Sequence, residues 1–125
     1  MESLIFDIDP VAKGRPRAGK GRVYTPKKTR DFERELKALA KIQYKSKPLT
    51  GALELVLVFE IERPKSVSVK KRLYPTVKPD CSNLAKATED ALNGVLFEDD
   101  SQVVKLIISK KYSNKGRILV MASEV

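Results

Sequence analysis

The chain has 125 residues, 42% of them hydrophobic, with 25 Lys and Arg against 16 Asp and Glu, a formal charge of +9, one Cys and no His. That length and apolar content give one domain with a true core and argue against disorder. The lack of His excludes Ser-His-Asp and Cys-His nucleophilic sites and the common zinc ligand sets.

A pI near 9.7 points to a polyanionic partner, nucleic acid before others. One cysteine, Cys81, cannot make an internal disulfide, which fits a reducing cytosol. No apolar run approaches the roughly 20 residues of a membrane helix. The N-terminus "MESLIFDIDP" lacks the basic flank and long apolar region of a signal peptide. A cytoplasmic, nucleoid-associated protein is the expectation.

"SLIFDIDP" reads as a first strand stopping at Pro10. From Lys13 to Arg30 there are eight basic residues and no acid, and the glycines and prolines there predict a loop or extended ribbon. Tyr24, among those charges, anchors the segment or stacks on a base. Residues 25–47 predict a helix, with Thr25 as cap, Pro26 at the tolerated first position and Phe32, Leu36, Leu39 and Ala40 as its buried stripe. Pro48 and Gly51 close it. In "ALELVLVFEIE", Leu53, Leu55, Leu57, Phe59 and Ile61 share one face, and the apolar centre of both faces predicts an interior strand. "RPKSVSVKKRLYPTVK" is a basic connection long enough to be mobile.

A second helix is predicted from Ser82 to Asn93, with Leu84, Ala87, Ala91 and Val95 inward and Gly94 as its stop. Strands "VVKLIISKKY" and "RILVMA" follow, separated by the turn "SNKG". The order β-loop-α-β-α-β-β predicts an α+β or mixed α/β domain, two helices on a four-stranded mixed sheet.

Six of the 16 acids fall between Lys78 and Asp100. On the second helix Asn83, Lys86 and Asp90 are spaced i, i+3, i+7 and share one face, distinct from that of Leu84, Ala87 and Ala91. Asp80 precedes the helix, and Asp99 and Asp100 precede the next strand, where Asp80 and Asp100 would converge if that strand runs beside the helix start. Each feature also has an ordinary explanation. Asp80 or Ser82 makes a helix cap, Lys86–Asp90 an exposed pair, "EDD" a polar turn, and Cys81 a small packed residue. Together, in a basic chain, the acids suit phosphodiester hydrolysis with Mg²⁺ on oxygen ligands and a lysine stabilising the transition state.

"KPDCSNLAKATEDALNG", followed by "EDDSQVV", resembles the motif of the RusA family of Holliday junction resolvases, largely a phage and prophage family. "KGRPRAGKGRVYTPKKT" is similar to the family's N-terminal segment, so the resemblance covers most of the chain, read as one domain over 1–125. It implies Mg²⁺-dependent paired nicking of four-way DNA junctions by a homodimer, with Mn²⁺ a possible substitute. It implies Asp80, Lys86 and Asp100 as catalytic residues with Asp90, the three aspartates as metal ligands, and Ser82, Asn83 and Asp99 as supporting residues. The family often has an aspartate where this chain has Ser82. Either the remaining acids suffice, or the chain is a weakened or inactive DNA-binding relative. A small RNA- or ribosome-binding module is the third class. Phosphate contacts are expected from Lys13, Arg15, Arg17, Lys20, Arg22, Lys27, Lys28 and Arg30, and from Lys70, Lys71 and Arg72.

Overall fold

The computed structural model describes residues 1–15, 17–19 and 21–125, without the side chains of Arg17, Ala18 and Arg22. In chain order the elements are β1 (Glu2–Phe6), β2 (Arg17–Gly19), β3 (Arg22–Tyr24), α1 (Lys27–Gln43), β4 (Leu53–Glu62), α2 (Cys81–Leu92), a single 3-10 turn (Asp100–Gln102), β5 (Val103–Ser113) and β6 (Arg117–Glu124). The predicted order is present, and the basic N-terminal segment contains a short antiparallel ribbon, β2–β3.

The main sheet has the order β1-β6-β4-β5. β6 is antiparallel to β1 and β4, whereas β5 runs parallel to β4, so the sheet is mixed and β4 is interior. A parallel pair requires a long crossover. Residues 63–102 supply it, and α2 is its centre.

Leu53, Leu55, Leu57 and Phe59 are fully buried on the helix-facing side of β4. Cross-strand register stacks Phe6, Ile118 and Phe59 in one rung and Leu4, Val120 and Leu57 in the next. Onto these, α1 lays Phe32, Leu36 and Ala40, and α2 lays Leu84, Ala87 and Ala91.

α1 departs from expectation at both ends. Its cap is Pro26, which makes no side-chain bond, not Thr25. Thr29 instead ties the helix to the preceding loop, accepting from the Gly14 amide at 3.0 Å and donating to the Ala12 carbonyl at 3.3 Å. The helix ends at Gln43 rather than running to residue 47. Tyr44 leaves helical geometry, buries its ring and donates its hydroxyl to the Lys47 carbonyl at 2.7 Å. Pro48 also disfavours helical geometry in the residue before it.

The connection after β4, expected to be mobile, is tied down. Arg63 donates to the carbonyls of Val67, Ser68, Arg72 and Leu73 and stacks over Tyr112 at 4.2 Å. Lys110 donates to the carbonyls of Val77 and Pro79, both at 2.8 Å. These bonds fix the chain as it enters α2.

Glu60, on the other face of β4, is buried beside Arg117 Nε at 2.6 Å and Lys111 Nζ at 3.5 Å. The hydrogen bond from Arg117 leads the effects that hold its carboxyl below the usual range. A depressed carboxylate stabilises the fold above its unfolded pKa, and that contribution is lost as pH falls through the folded value. Arg117→Met should therefore raise the midpoint pH of acid unfolding, followed by far-UV circular dichroism; an unmoved midpoint would show the pair to be inert. In urea at neutral pH, Leu57→Ala should cost about 2–5 kcal/mol, the range for truncating a fully buried leucine.

Candidate active site

α2 begins at Cys81 because Asp80 caps it. Asp80 Oδ1 accepts from the Asn83 amide at 2.9 Å and from Ser82 Oγ at 3.2 Å, while Oδ2 accepts from Asn83 Nδ2 at 3.3 Å. All these donors are neutral, so the Asp80 charge is solvated and oriented but not cancelled. Asp80 and Asn83 open onto a groove of about 960 Å³ between the N-terminal loop, the start of α1 and the start of α2. Arg15, Lys28 and Lys78 line the same groove. Capping the helix thus leaves Asp80 on the groove, so the cap and the active-site readings do not conflict. Cys81 is partly exposed and reduced.

One turn and a half further along, Lys86 Nζ lies 3.0 Å from Asp90 Oδ1 and 3.8 Å from Asp100 Oδ2. The hydrogen bond to Asp90 leads the causes that raise its pKa, so Lys86 is a fixed cation rather than a base. The other Asp90 oxygen lies 3.0 Å from Lys13 Nζ, which also donates to Glu33 of α1 at 2.8 Å. Burial works to lower the Lys13 pKa, but its two carboxylate bonds outweigh that and raise it. The groups form one alternating series, Glu33–Lys13–Asp90–Lys86–Asp100, across α1, the loop, α2 and the turn before β5.

Asp100 is held in place by its neighbours. Asp99 accepts from the Ser101 amide at 3.0 Å, and its own amide donates to Gln102 Oε1 at 2.8 Å; the Ser101 hydroxyl first, and then that amide, hold the Asp99 pKa down. The Gln102 amide group then donates to the carbonyls of Leu49 and Gly51, both at 3.0 Å. Asp99 is a cap that braces Asp100. Glu89, half-buried, has its carboxyl pKa raised by burial and then by the charge of Asp100.

The structure does not gather Asp80, Asp90 and Asp100 around one point. Ten residues separate Asp80 from Asp90, a rise of about 15 Å in an α-helix, and among the described residues no three acidic, Cys or His side chains form a ready metal cluster. Asp90 is already compensated by two ammonium groups. Asp80 and Asp100 are the less compensated pair. Their hard oxygens fit Mg²⁺, which is commonly held by one or two carboxylates together with waters and substrate phosphate.

The cations expected to meet phosphate divide. Arg15, Lys28, Arg30, Lys70 and Lys71 are exposed. Lys27 is exposed but paired with Asp31 at 2.7 Å. Arg72 is half-buried and donates to the Tyr112 hydroxyl at 3.1 Å. Lys13 is turned inward to Glu33 and Asp90, contrary to expectation, because two carboxylates lie within its reach. Lys20 and the side chains of Arg17 and Arg22 lie outside the described residues. Tyr24 is exposed, its ring within 3.3 Å of where a Cβ on Gly19 would lie, so it folds over its own ribbon. Sequence reasoning missed Glu33, Gln102 and Lys110. Glu33 left a weak signal, an acid one helical turn beyond Thr29, and Gln102 a clearer one, the Asp99-x-x-Gln102 spacing of a capping box.

The family model for endodeoxyribonuclease RusA matches residues 7–122. The chain is also 38% identical, over an alignment of 140 residues, to the uncharacterized protein YqaN of Bacillus subtilis strain 168, with 100% of this chain and 99% of that protein covered. A match that takes in both the basic N-terminal segment and the whole of α2 through β6 leaves one assignment: the chain belongs to the RusA family of endodeoxyribonucleases, enzymes that resolve Holliday junctions.

Proposed function

We propose that the protein is a Mg²⁺-dependent endonuclease that cuts four-way DNA junctions by paired, symmetric nicks as a twofold homodimer. Mn²⁺ would substitute. The observation that carries this reading is the cation Lys86 lying beside the undercompensated Asp100, on the helix whose cap, Asp80, opens onto a basic groove.

Asp80 and Asp100 would hold the ion, which supplies an activated water and offsets charge on the scissile phosphate. Lys86, kept protonated by Asp90, presents positive charge where the phosphate gains negative charge in the transition state. Asp90 holds Lys86 rather than the metal. Asn83 orients Asp80. Arg15, Lys28 and Lys78 draw the backbone into the groove and offset its repulsion by the acids. A junction has near-twofold symmetry, and paired nicks need two sites, so a C2 dimer matches the substrate. Action on chromosomal or phage DNA places the enzyme with the nucleoid in the cytoplasm.

A second reading has one observation in its favour. Ser82, where the family often has an aspartate, donates to Asp80 rather than adding a ligand. On that reading the chain binds junctions and cuts them poorly.

Asp80→Asn and Asp100→Asn should each abolish cleavage of a labelled four-way junction while metal-free binding persists or tightens; full activity in both would sink the assignment. Ser82→Asp places a second carboxylate beside Asp80, and like charges repel. Its melting temperature should fall without Mg²⁺ and recover on Mg²⁺ titration, with faster cleavage. No difference in either would mean that residue 82 is only part of a cap.

Each phosphate contact contributes about one unit to the salt slope of binding. Arg15→Ala with Lys28→Ala should therefore lower that slope by about 2 and weaken junction binding. An unchanged slope removes the groove from the DNA path. Light scattering at micromolar concentration should give twice the chain mass of 14.0 kDa; a monomer both with and without junction DNA counts against the dimer.

A further inference from the structure

We infer that Lys13 is a positioning residue for Lys86, acting through Asp90, and not a contact to DNA. The inference rests on the nuclease reading above for its kinetic arm only. The backbone at Lys13 is held before its side chain is considered. Its amide donates to the Asn83 carbonyl of α2 at 2.9 Å, and the next amide, Gly14, donates to Thr29 Oγ1 of α1 at 3.0 Å. The ammonium then bridges Glu33 at 2.8 Å and Asp90 at 3.0 Å.

Isolated exposed ion pairs contribute little, because two long side chains must be ordered to make them. Here that cost is reduced. The backbone is fixed on both sides, and the side chains of Lys13, Glu33 and Asp90 are only 23%, 21% and 20% exposed. Asp90 is bridged, one oxygen to Lys13 and the other to Lys86, and this sets the plane of its carboxylate. Lys86 itself is 56% exposed on a flexible stem, so Asp90 is what holds its ammonium within 3.8 Å of Asp100. Without Lys13, one Asp90 oxygen is left without a cation in a partly buried place. The carboxylate is then free to rotate and draw Lys86 away from Asp100. Glu33, on another helix, stands behind Lys13 in the same series.

The test uses full-length Lys13→Met, Lys13→Arg and Glu33→Gln in three measurements. In cleavage kinetics, Lys13→Met should lower kcat about 10- to 100-fold, the scale for displacing a catalytic group by about 1 Å. KM should stay within about twofold, Lys13→Arg should recover most of the loss, and Glu33→Gln should show a smaller loss of the same kind. In metal-free junction binding, Lys13→Met should leave the salt slope unchanged. A slope lower by about 1 with kcat intact would make Lys13 a phosphate contact and overturn the inference. In ¹⁵N spectra of the lysine ammonium groups, with Lys86→Arg identifying the signal, the Lys86 resonance should shift in Lys13→Met. An unmoved resonance overturns the inference whatever the kinetics show. If the wild type cuts no junction, the nuclease reading fails and the spectra alone decide the role of Lys13. If Lys13→Met does not fold, Glu33→Gln carries the same three measurements.

Discussion

α2 can lie on the sheet in only one rotation. Leu84, Ala85, Ala87, Thr88, Ala91 and Leu92 are buried, and Leu84, Ala87 and Ala91 have no exposed surface at all. The small alanines bring the helix axis close to the sheet and to α1, and any turn about that axis would expose them or drive a charge into the core. With the inner face fixed, the 100° step of the helix fixes the outer one. Asn83, Lys86 and Asp90 therefore stand on a single wall, and Asp80, the cap, stands at its end. The site is the polar remainder of a packing requirement.

The second requirement is electrostatic. A nuclease needs carboxylates near a phosphate that they repel. In this protein the conflict is resolved by alternation. Lys13 and Lys86 separate Glu33, Asp90 and Asp100, so no two acids in the series lie together without a cation between them. Asp80 has neutral donors alone, and Asp100 meets a single ammonium, Lys86 at 3.8 Å, and the two differ in support. Asp80 is oriented by amide and hydroxyl donors, Asp100 by a braced turn anchored through Gln102. Glu89 sits at the margin of the series, and burial pushes its carboxyl pKa upward.

The family membership and Ser82 pull in different directions. Residue 82 lies in the first turn of α2, behind the Asp80 cap, where the free amides favour an aspartate and the Asp80 charge opposes one, so the helix start accommodates either residue. A serine hydroxyl cannot bring a formal charge to a divalent ion. The physics of the helix start therefore does not select between the two residues; on the proposed function the difference between them is one of metal chemistry. Ser82 is therefore the position at which the proposed nuclease and the junction-binding reading differ most.

The elements, the interior position of β4 and the outer face of α2 were legible in the sequence. They depend on local periodicity, which a period of 2 or 3.6 writes directly into the order of residues. Glu54 and Glu60 flanking an apolar strand, or Lys86 and Asp90 one turn apart, need no knowledge of the rest of the chain. The ends of α1 were less legible. Tyr44 ends the helix by burying its ring, and Thr29, rather than a capping Thr25, holds the helix start to the loop, both through contacts distant in sequence. The partners of Lys13 were illegible. Glu33 and Asp90 lie 20 and 77 residues away, and they meet only because α1 and α2 pack side by side on one sheet. In the sequence Lys13 is one of eight basic residues in an acid-free run, with nothing local to set it apart from Arg15. Composition determined that the chain is basic and its acids clustered. The tertiary structure decided which cation turns inward, because an ion pair depends on distance in space and carries no period along the chain.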